Sequence, residues 1–272
     1  MQGQMMPTLK DKTILITGGA QGVGEAAGRV FASQNAMVVL TDIVEDRVFM
    51  NAENIRQAGG DAIALVLDVT KPASISSAID AAVDKYGRID GLFHNAMSAA
   101  YVNNNDRMVT DLSDDVWDHI INLTLTGTFN VMRAVGREML KHGSGSMVMT
   151  ATVDALIAQA GVDAYSAAKG GVISLARSAA AGLSPQGIRI NSICPGFIAT
   201  PDQAAFLENP VHRAEIDKMH LIDIATPEDV AEYAAFLLSD SARCITGTTH
   251  MVDSGYSSFK GKMDIRNQIS SN

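Results

Sequence analysis

The chain predicts an α/β fold in a single domain, a doubly wound parallel sheet with helices on both faces, on three observations. Short apolar, β-branched runs recur at residues 13–17, 37–40, 62–67, 91–94, 146–150, 189–193 and 248–252, with segments of helical character between them. The first run ends abruptly in Gly18-Gly19-Ala20-Gln21-Gly22-Val23-Gly24, and a helix-like segment follows. The 272 residues, at 47% hydrophobic content, suffice to bury one large core.

Composition narrows the function classes. Lys+Arg 21 against Asp+Glu 30 leave a net charge of -9, which argues against a polyanion held on a broad basic surface, so no nucleic acid partner is expected. Cys194 and Cys244 form neither a Cys-x-x-Cys pair nor part of a His/Cys cluster. They read as buried thiols in a reducing compartment, with no structural zinc or other metal. The first ten residues lack a charged segment followed by an apolar run, and no apolar run approaches membrane-spanning length. A soluble, cytoplasmic protein without a membrane partner is expected.

In chain order, residues 13–17 form the first strand and residues 25–34 the first helix, with the glycine turn between them. Glycines 18, 22 and 24 let the backbone turn tightly, approach a pyrophosphate and present free amides at the positive end of a helix, with Gln21 and Val23 in the same loop. Residues 37–40 close a βαβ unit, and Thr41-Asp42 follows about where an acidic side chain grips an adenosine ribose. Asp42 can accept both ribose hydroxyls and would repel a 2′-phosphate, and Gln21 offers no compensating cation in the loop. NAD is the expected cofactor.

Farther on, Tyr165 and Lys169 stand at i and i+4 of a predicted helix and share one face. The ammonium can stabilise the phenolate and lower the phenol's pKa, which makes Tyr165 a candidate general base. Taken alone, the same spacing describes a surface Tyr and Lys on an amphipathic helix.

Thr17-Gly-Gly-Ala-Gln-Gly-Val-Gly24 together with Tyr165-Ser-Ala-Ala-Lys169, in this order and on these elements, resembles the short-chain dehydrogenase/reductase family. The similarity covers about residues 9 to 256 and leaves a polar tail, 257–272. It implies a Rossmann-like fold and hydride transfer between a secondary alcohol and a nicotinamide, with Tyr165 as general acid/base and Lys169 lowering its pKa and binding the nicotinamide ribose. It also implies a homotetramer built on the helices around 116–140 and 164–181, whose apolar faces permit one. Asp68 and Val69 would contact the adenine; a helix cap ahead of Pro72 is the competing role for Asp68. The family's Asn-Asn-Ala-Gly reads His94-Asn95-Ala96-Met97. Asn95 is retained as a cofactor contact, whereas Met97 forgoes the close backbone approach of a glycine and instead floors the substrate pocket. His94 reads as a hydrogen-bonded strand-end residue outside the mechanism.

Further departures fall on the catalytic positions. Registered on Trp117, Gly127 and Phe129, the family's catalytic Asn is Thr124, whose main-chain carbonyl survives the substitution; Asn122, two residues earlier, points elsewhere around the helix. Counted back from Tyr165, the catalytic Ser is Thr152, which keeps the hydroxyl and adds a methyl. Thr150, on the same strand face, is the alternative. Pro195, Gly196, Ile198 and Thr200 resemble the turn beside the nicotinamide, the Ile198 backbone and Thr200 holding the carboxamide. Residues 98–116 read as a polar, Asn-rich loop flanking the substrate entrance, and 201–224 as a lid with apolar Phe206, Leu207, Met219 and Leu221. Thr226-Pro-Glu-Asp-Val230 signals a capped helix start.

The expectation is an NAD-dependent short-chain alcohol dehydrogenase/reductase acting on a mainly apolar secondary alcohol, cyclic, with one polar substituent for Asp154 to receive; a solvated or capping Asp154 is the alternative. Two rivals stand beside it. One is a cofactor-binding regulator without turnover, suggested by Met97, Thr124 and Thr152. The other is a 3-oxoacyl thioester reductase, which calls for a basic residue toward NADPH and a positive patch that the sequence does not display.

Overall fold

Alternation across the strands sets the layers. Ile14 and Ile16 of β1 (Thr13–Thr17) join Val38 and Leu40 of β2 (Met37–Asp42) in one apolar cluster, while Leu15 and Val39 join another on the opposite face. Strands buried on both faces are those of a parallel sheet covered by crossover helices. The computed structural model describes residues 8–258 and shows that arrangement. After β1 come α1 (Gly22–Ser33), β2, α2 (Glu45–Gln57), β3 (Asp61–Val66), α3 (Pro72–Tyr86) and β4 (Gly91–His94). Then follow α4 (Ala99–Asn105), α5 (Asp114–Ile121), a π-helical turn (Asn122–Thr126), α6 (Gly127–Leu140), β5 (Gly145–Thr150), α7 (Asp163–Leu183) and β6 (Ile188–Pro195). Finally α8 (Ala204–Glu208) and α9 (Pro210–Lys218) precede α10 (Pro227–Leu238) and β7 (Thr249–Val252). All but the first two residues of the tail 257–272 lie outside the described residues.

The seven strands form one sheet in the order β3-β2-β1-β4-β5-β6-β7, and every neighbouring pair is parallel. One face is covered by α1, α2 and α10 through Phe31, Val48 and Leu237, with Phe31 edge-on to Phe93 of β4 at 5.8 Å between ring centres. The other is covered by α3, α6 and α7 through Ile75, Val131 and Val172. Since all strands run the same way, their carboxyl ends share one edge. The chain builds outward in one direction through β2 and β3 and in the other through β4, so the crevice between β1 and β4 is the topological switch point at which open α/β sheets bind ligands.

Two expectations need correction. Residues 98–116 are not a loop: α4 lies within them, its first turn capped by the Ser98 hydroxyl accepting from the Tyr101 amide and its Val102 buried, and α5 begins at Asp114 behind the Ser113 cap. The polar Asn run concealed an element whose inward face is a single valine. Cys194 is buried as expected, but Cys244 is exposed. At α10, Thr226 and Asp229 close a reciprocal capping box with Pro227 in the first turn. No helix of the described residues is long and apolar enough to cross a membrane, and no group of His, Cys, Asp or Glu among them could hold a metal ion.

Candidate active site

The glycine turn is shaped by close approach. Gly18 sits at φ +72, and a Cβ there would lie 2.9 Å from the Ala96 Cα; a Cβ on Gly24 would lie 1.9 Å from the Gly18 carbonyl oxygen. The first glycine lets the turn lie against the chain after β4, and the third lets α1 start directly under the turn. Gly22, at φ +58, has only the Thr200 methyl nearby, 3.7 Å from a built Cβ. Gln21 is the N-cap of α1 and makes no side-chain cap bond, so the leading amides of a 12-residue helix face the crevice without a side-chain acceptor. Such a terminus fits an anionic pyrophosphate.

Asp42 stands beside it. Its Oδ2 accepts the Ala20 amide and its Oδ1 the Val44 amide, each at 3.0 Å, which fixes the carboxylate while leaving lone pairs for ribose hydroxyls. From α2, buried Asn51 donates to the Gly19 and Ala20 carbonyls, both at 3.0 Å, and clamps the turn from behind. One helical turn earlier, Arg47 donates to Gln21 Oε1 at 2.5 Å. The loop itself carries no cation, as expected, but α2 brings a guanidinium to it, and the i, i+4 spacing of Arg47 from Asn51 was the available signal. Asp68 accepts the Thr70 amide and hydroxyl and pairs with Lys71, while Lys71 itself is the N-cap of α3, so Asp68 is not the helix cap. Val69 is buried against Gly127.

The chemical groups converge at the carboxyl ends of β4 and β5. Tyr165 and Lys169 leave α7 on one face; Lys169 is 3% exposed, and its Nζ donates to the Thr150 carbonyl at 2.6 Å. Burial lowers the Lys169 pKa to about 8. Burial also pushes the Tyr165 phenol up; the neighbouring Thr152 hydroxyl works against this, and the charge of Asp154 adds to it. The anticipated depression of the phenol by Lys169 is therefore not the dominant effect. Desolvation prevails, and the ammonium is drawn to the strand carbonyl, 5.9 Å from the Tyr165 ring centre. The Tyr165 hydroxyl points at Met97 Sδ, 4.0 Å away. Thr152 is buried and donates to Asp154 Oδ2 at 3.1 Å, whereas the Thr150 hydroxyl is buried without a partner. Cys194 lies at the base of the site, its thiol pushed up to about 11 by burial, and stays protonated at neutral pH.

Supporting residues complete the geometry. Thr17 Oγ1 accepts the Asn95 and Ala96 amides at 3.1 and 3.2 Å, so its own proton goes to His94 Nδ1 at 2.9 Å. That leaves the Nε2–H tautomer of His94. Burial, with the charge of Lys169, brings its pKa down to about 3 and keeps the ring neutral. Thr124 is buried and Asn122 exposed on the π-helical turn, and the Thr124 carbonyl accepts the Thr128 hydroxyl at 2.5 Å. Sequence reasoning missed Asp106. Its buried carboxylate, just past α4, accepts the Ala164 and Tyr165 amides at 3.2 and 2.9 Å and so caps the helix that carries Tyr165 and Lys169. The signal was the start of α7 itself, where Val162 occupies the N-cap and supplies no side-chain acceptor.

Pro195 ends β6, and Gly196 packs against Asp253, where a Cβ would lie 3.0 Å from its Cα. Ile198 bridges Ala225, and the Ala199 amide donates to the Ala225 carbonyl at 2.9 Å, so the two ends of the segment 199–224 are fastened together. Between them Phe206, Met219 and Leu221 are exposed, and the Phe206 ring stacks on His212 at 4.4 Å.

A glycine cradle for a dinucleotide, set at the switch point beside a Tyr–Lys pair and a buried hydroxyl, defines a dinucleotide-binding oxidoreductase. Comparison with known proteins agrees. A family profile described as enoyl-(acyl carrier protein) reductase matches residues 18–257. The oxidoreductase UcpA of Escherichia coli (strain K12) is 36% identical over 258 residues, 92% of this chain and 96% of the relative. Cyclohexanol dehydrogenase of Acinetobacter sp. (strain SE19) is 35% identical over 259 residues, 95% of this chain and 100% of the relative. The solved structure of a short-chain type dehydrogenase/reductase from Mycobacterium ulcerans superposes with a TM-score of 0.86 at 29% identity, over 92% of this chain and 90% of that one. The chain belongs to the short-chain dehydrogenase/reductase family.

Proposed function

We propose that the protein interconverts a secondary alcohol and its ketone with NAD, and that the alcohol is mainly apolar and cyclic. The observation that carries this reading is the convergence of the Tyr165 phenol, the Thr152 hydroxyl and the Lys169 amine beside the glycine cradle. Gly18 to Gly24, Asp42, Asp68, Val69, Asn95 and the Pro195 to Thr200 turn would hold a nicotinamide dinucleotide, which when bound would supply or accept the hydride. Thr152 turns its one hydroxyl proton from Asp154 Oδ2 to the substrate oxygen. Tyr165 gives that oxygen its proton in reduction and removes it in oxidation. Burial keeps the phenol protonated at neutral pH, so ketone reduction starts from the resting state of the side chains, whereas oxidation begins with Tyr165 giving up its proton. Lys169 favours the phenolate when it forms, and the Thr124 carbonyl would hold a water on the proton's way to solvent. Met97 beside the phenol and the exposed Leu156, Phe206 and Leu221 supply apolar walls. The similarity to a cyclohexanol dehydrogenase supports a ring substrate, and Asp42 supports NAD.

The reading is tested by following the nicotinamide absorbance with a panel of cyclic and linear secondary alcohols and ketones, for the wild type and Tyr165→Phe. The variant should lose turnover and keep its affinity for NADH. Near-normal turnover by Tyr165→Phe would overturn the mechanism, and nicotinamide binding without turnover of any substrate by the wild type would favour the regulator. Exposed Trp117 on α5 and Phe129 on α6, the latter under Arg133 at 4.6 Å, support a homotetramer built on these helices. Light scattering that returns a 28.8 kDa particle would contradict it.

A further inference from the structure

Asp154 has no part in the chemistry above, yet it is tied to it. Its Oδ2 accepts the Thr152 hydroxyl at 3.1 Å, and its amide donates back to Thr152 Oγ1 at 3.3 Å, which locks the carboxylate beside the hydroxyl that holds the substrate oxygen. Its Oδ1 has no hydrogen-bond partner among the described residues. The short 3-10 turn at Val153–Ala155 is capped by Thr152, so Asp154 is not needed there as a cap. The side chain is partly buried, and that burial raises its pKa above the usual carboxylate range, which marks a carboxylate short of solvation. Asp154 also borders an open surface depression of ≈ 390 Å³ whose other walls include Leu156, Gln159, Asp163 and Ser166.

We propose that Asp154 receives a second hydroxyl of the substrate, so that the preferred substrate is a vicinal diol, with the corresponding α-hydroxyketone on the other side of the reaction. This rests on the roles assigned to Tyr165 and Thr152. The spacing carries it. Thr152 Oγ1 and Asp154 Oδ2 are 3.1 Å apart, and the gauche oxygens of a 1,2-diol are separated by about a hydrogen-bond length, so one can rest on Thr152 while the other donates to Asp154. In oxidation the carbon at Tyr165 loses a hydride to the oxidised nicotinamide, and its hydroxyl loses a proton to Tyr165. The neighbouring C–OH keeps all its bonds and its proton, which stays directed at the carboxylate. A hydrogen bond to a charged acceptor is among the stronger ones. A monoalcohol of the same ring leaves the partly buried carboxylate without that bond, and a site built to bond a substrate hydroxyl discriminates against an analogue that lacks the group.

The test compares kcat/KM for cyclohexanol and for cis- and trans-1,2-cyclohexanediol in the wild type, Asp154→Asn and Asp154→Ala. Wild type should favour one diol isomer over cyclohexanol by about 100-fold or more, and Asp154→Ala should lose most of that ratio through a raised KM for the diol. The wild-type ratio is read without any variant, so the result does not depend on how well Asp154→Ala folds. Cyclohexanol turned over as well as both diols, or a diol preference that persists in Asp154→Ala, overturns this proposal and leaves the alcohol dehydrogenase reading standing. Failure to turn over any of the three alcohols or their ketones overturns both.

Discussion

Lys169 should cost the fold stability, and the cost should depend on pH in a direction that the structure fixes. The side chain is 3% exposed and its pKa falls from 10.5 to about 8 because burial disfavours the charge. The folded protein therefore holds fewer protons than the unfolded chain between about 8 and 10.5, so this group's penalty is full below that window and fades as pH rises through it. At 1.36 kcal/mol per pKa unit the penalty at pH 7 is roughly 3 kcal/mol. Lys169→Met keeps an unbranched chain of similar length and removes the charge, but leaves the Thr150 carbonyl without its 2.6 Å donor, a loss of about 1–2 kcal/mol. The variant should thus be more stable than the wild type at pH 7 by about 1–2 kcal/mol, with the advantage shrinking by about 2 kcal/mol by about pH 9.5. Urea unfolding of both proteins without cofactor at the two pH values measures it. Activity should be lost in the same variant, a charge kept for chemistry at the expense of the fold. A Lys169→Met protein less stable at pH 7, by a margin unchanged at higher pH, would refute the reasoning, since the ammonium would then be well solvated or fully compensated where it lies.

The remaining expectations concern the hydroxyl, the cofactor and the cap. Thr152→Ser should keep substantial activity, while Thr152→Val, nearly the same shape without a donor, should lose about 1–3 kcal/mol of transition-state stabilisation, read as kcat/KM; equal rates for the two would move the role to the unpartnered hydroxyl of Thr150. NADH should bind more tightly than NADPH, and Asp42→Ala should narrow the gap. Arg47→Ala should weaken NADPH and spare NADH, because its guanidinium bonds Gln21 of the turn at 2.5 Å; tighter binding of NADPH by the wild type would refute the Asp42 argument. Asp106→Asn removes the charge that caps α7 and should lower stability by about 1–2 kcal/mol, with a fall in kcat as Tyr165 loses its fixed position. An unchanged Tm and kcat would show that the cap positions nothing.

What was legible in the sequence was what local periodicity encodes. Apolar runs with turn signals between them marked all seven strands, and boundaries moved by a few residues at most, as where β6 continues through Cys194 to Pro195 because the following glycine still packs on the turn after β7. The glycine turn was legible because its spacing has one steric explanation, and the built Cβ contacts at Gly18 and Gly24 supply it. What escaped were partnerships across sequence: Arg47 with Gln21, 26 residues apart, and Asp106 with Tyr165, 59 residues apart. Each nevertheless left a local trace in the form of an unmet need. α7 opens on Val162, which cannot cap it, and α1 opens on a glutamine whose side chain does not cap it. A long helix that starts without its own acceptor implies one brought from elsewhere, either a buried carboxylate of the same chain, as at α7, or an anionic ligand, as the crevice at α1 is shaped to take. The same accounting of unmet polar groups explains the Tyr165–Lys169 pair. Their spacing placed them on one face, but how far the amine lowers the phenol's pKa depends on what else the amine can bond and how deeply both are buried, and neither the Thr150 carbonyl nor the depth of the cleft is written in a five-residue motif.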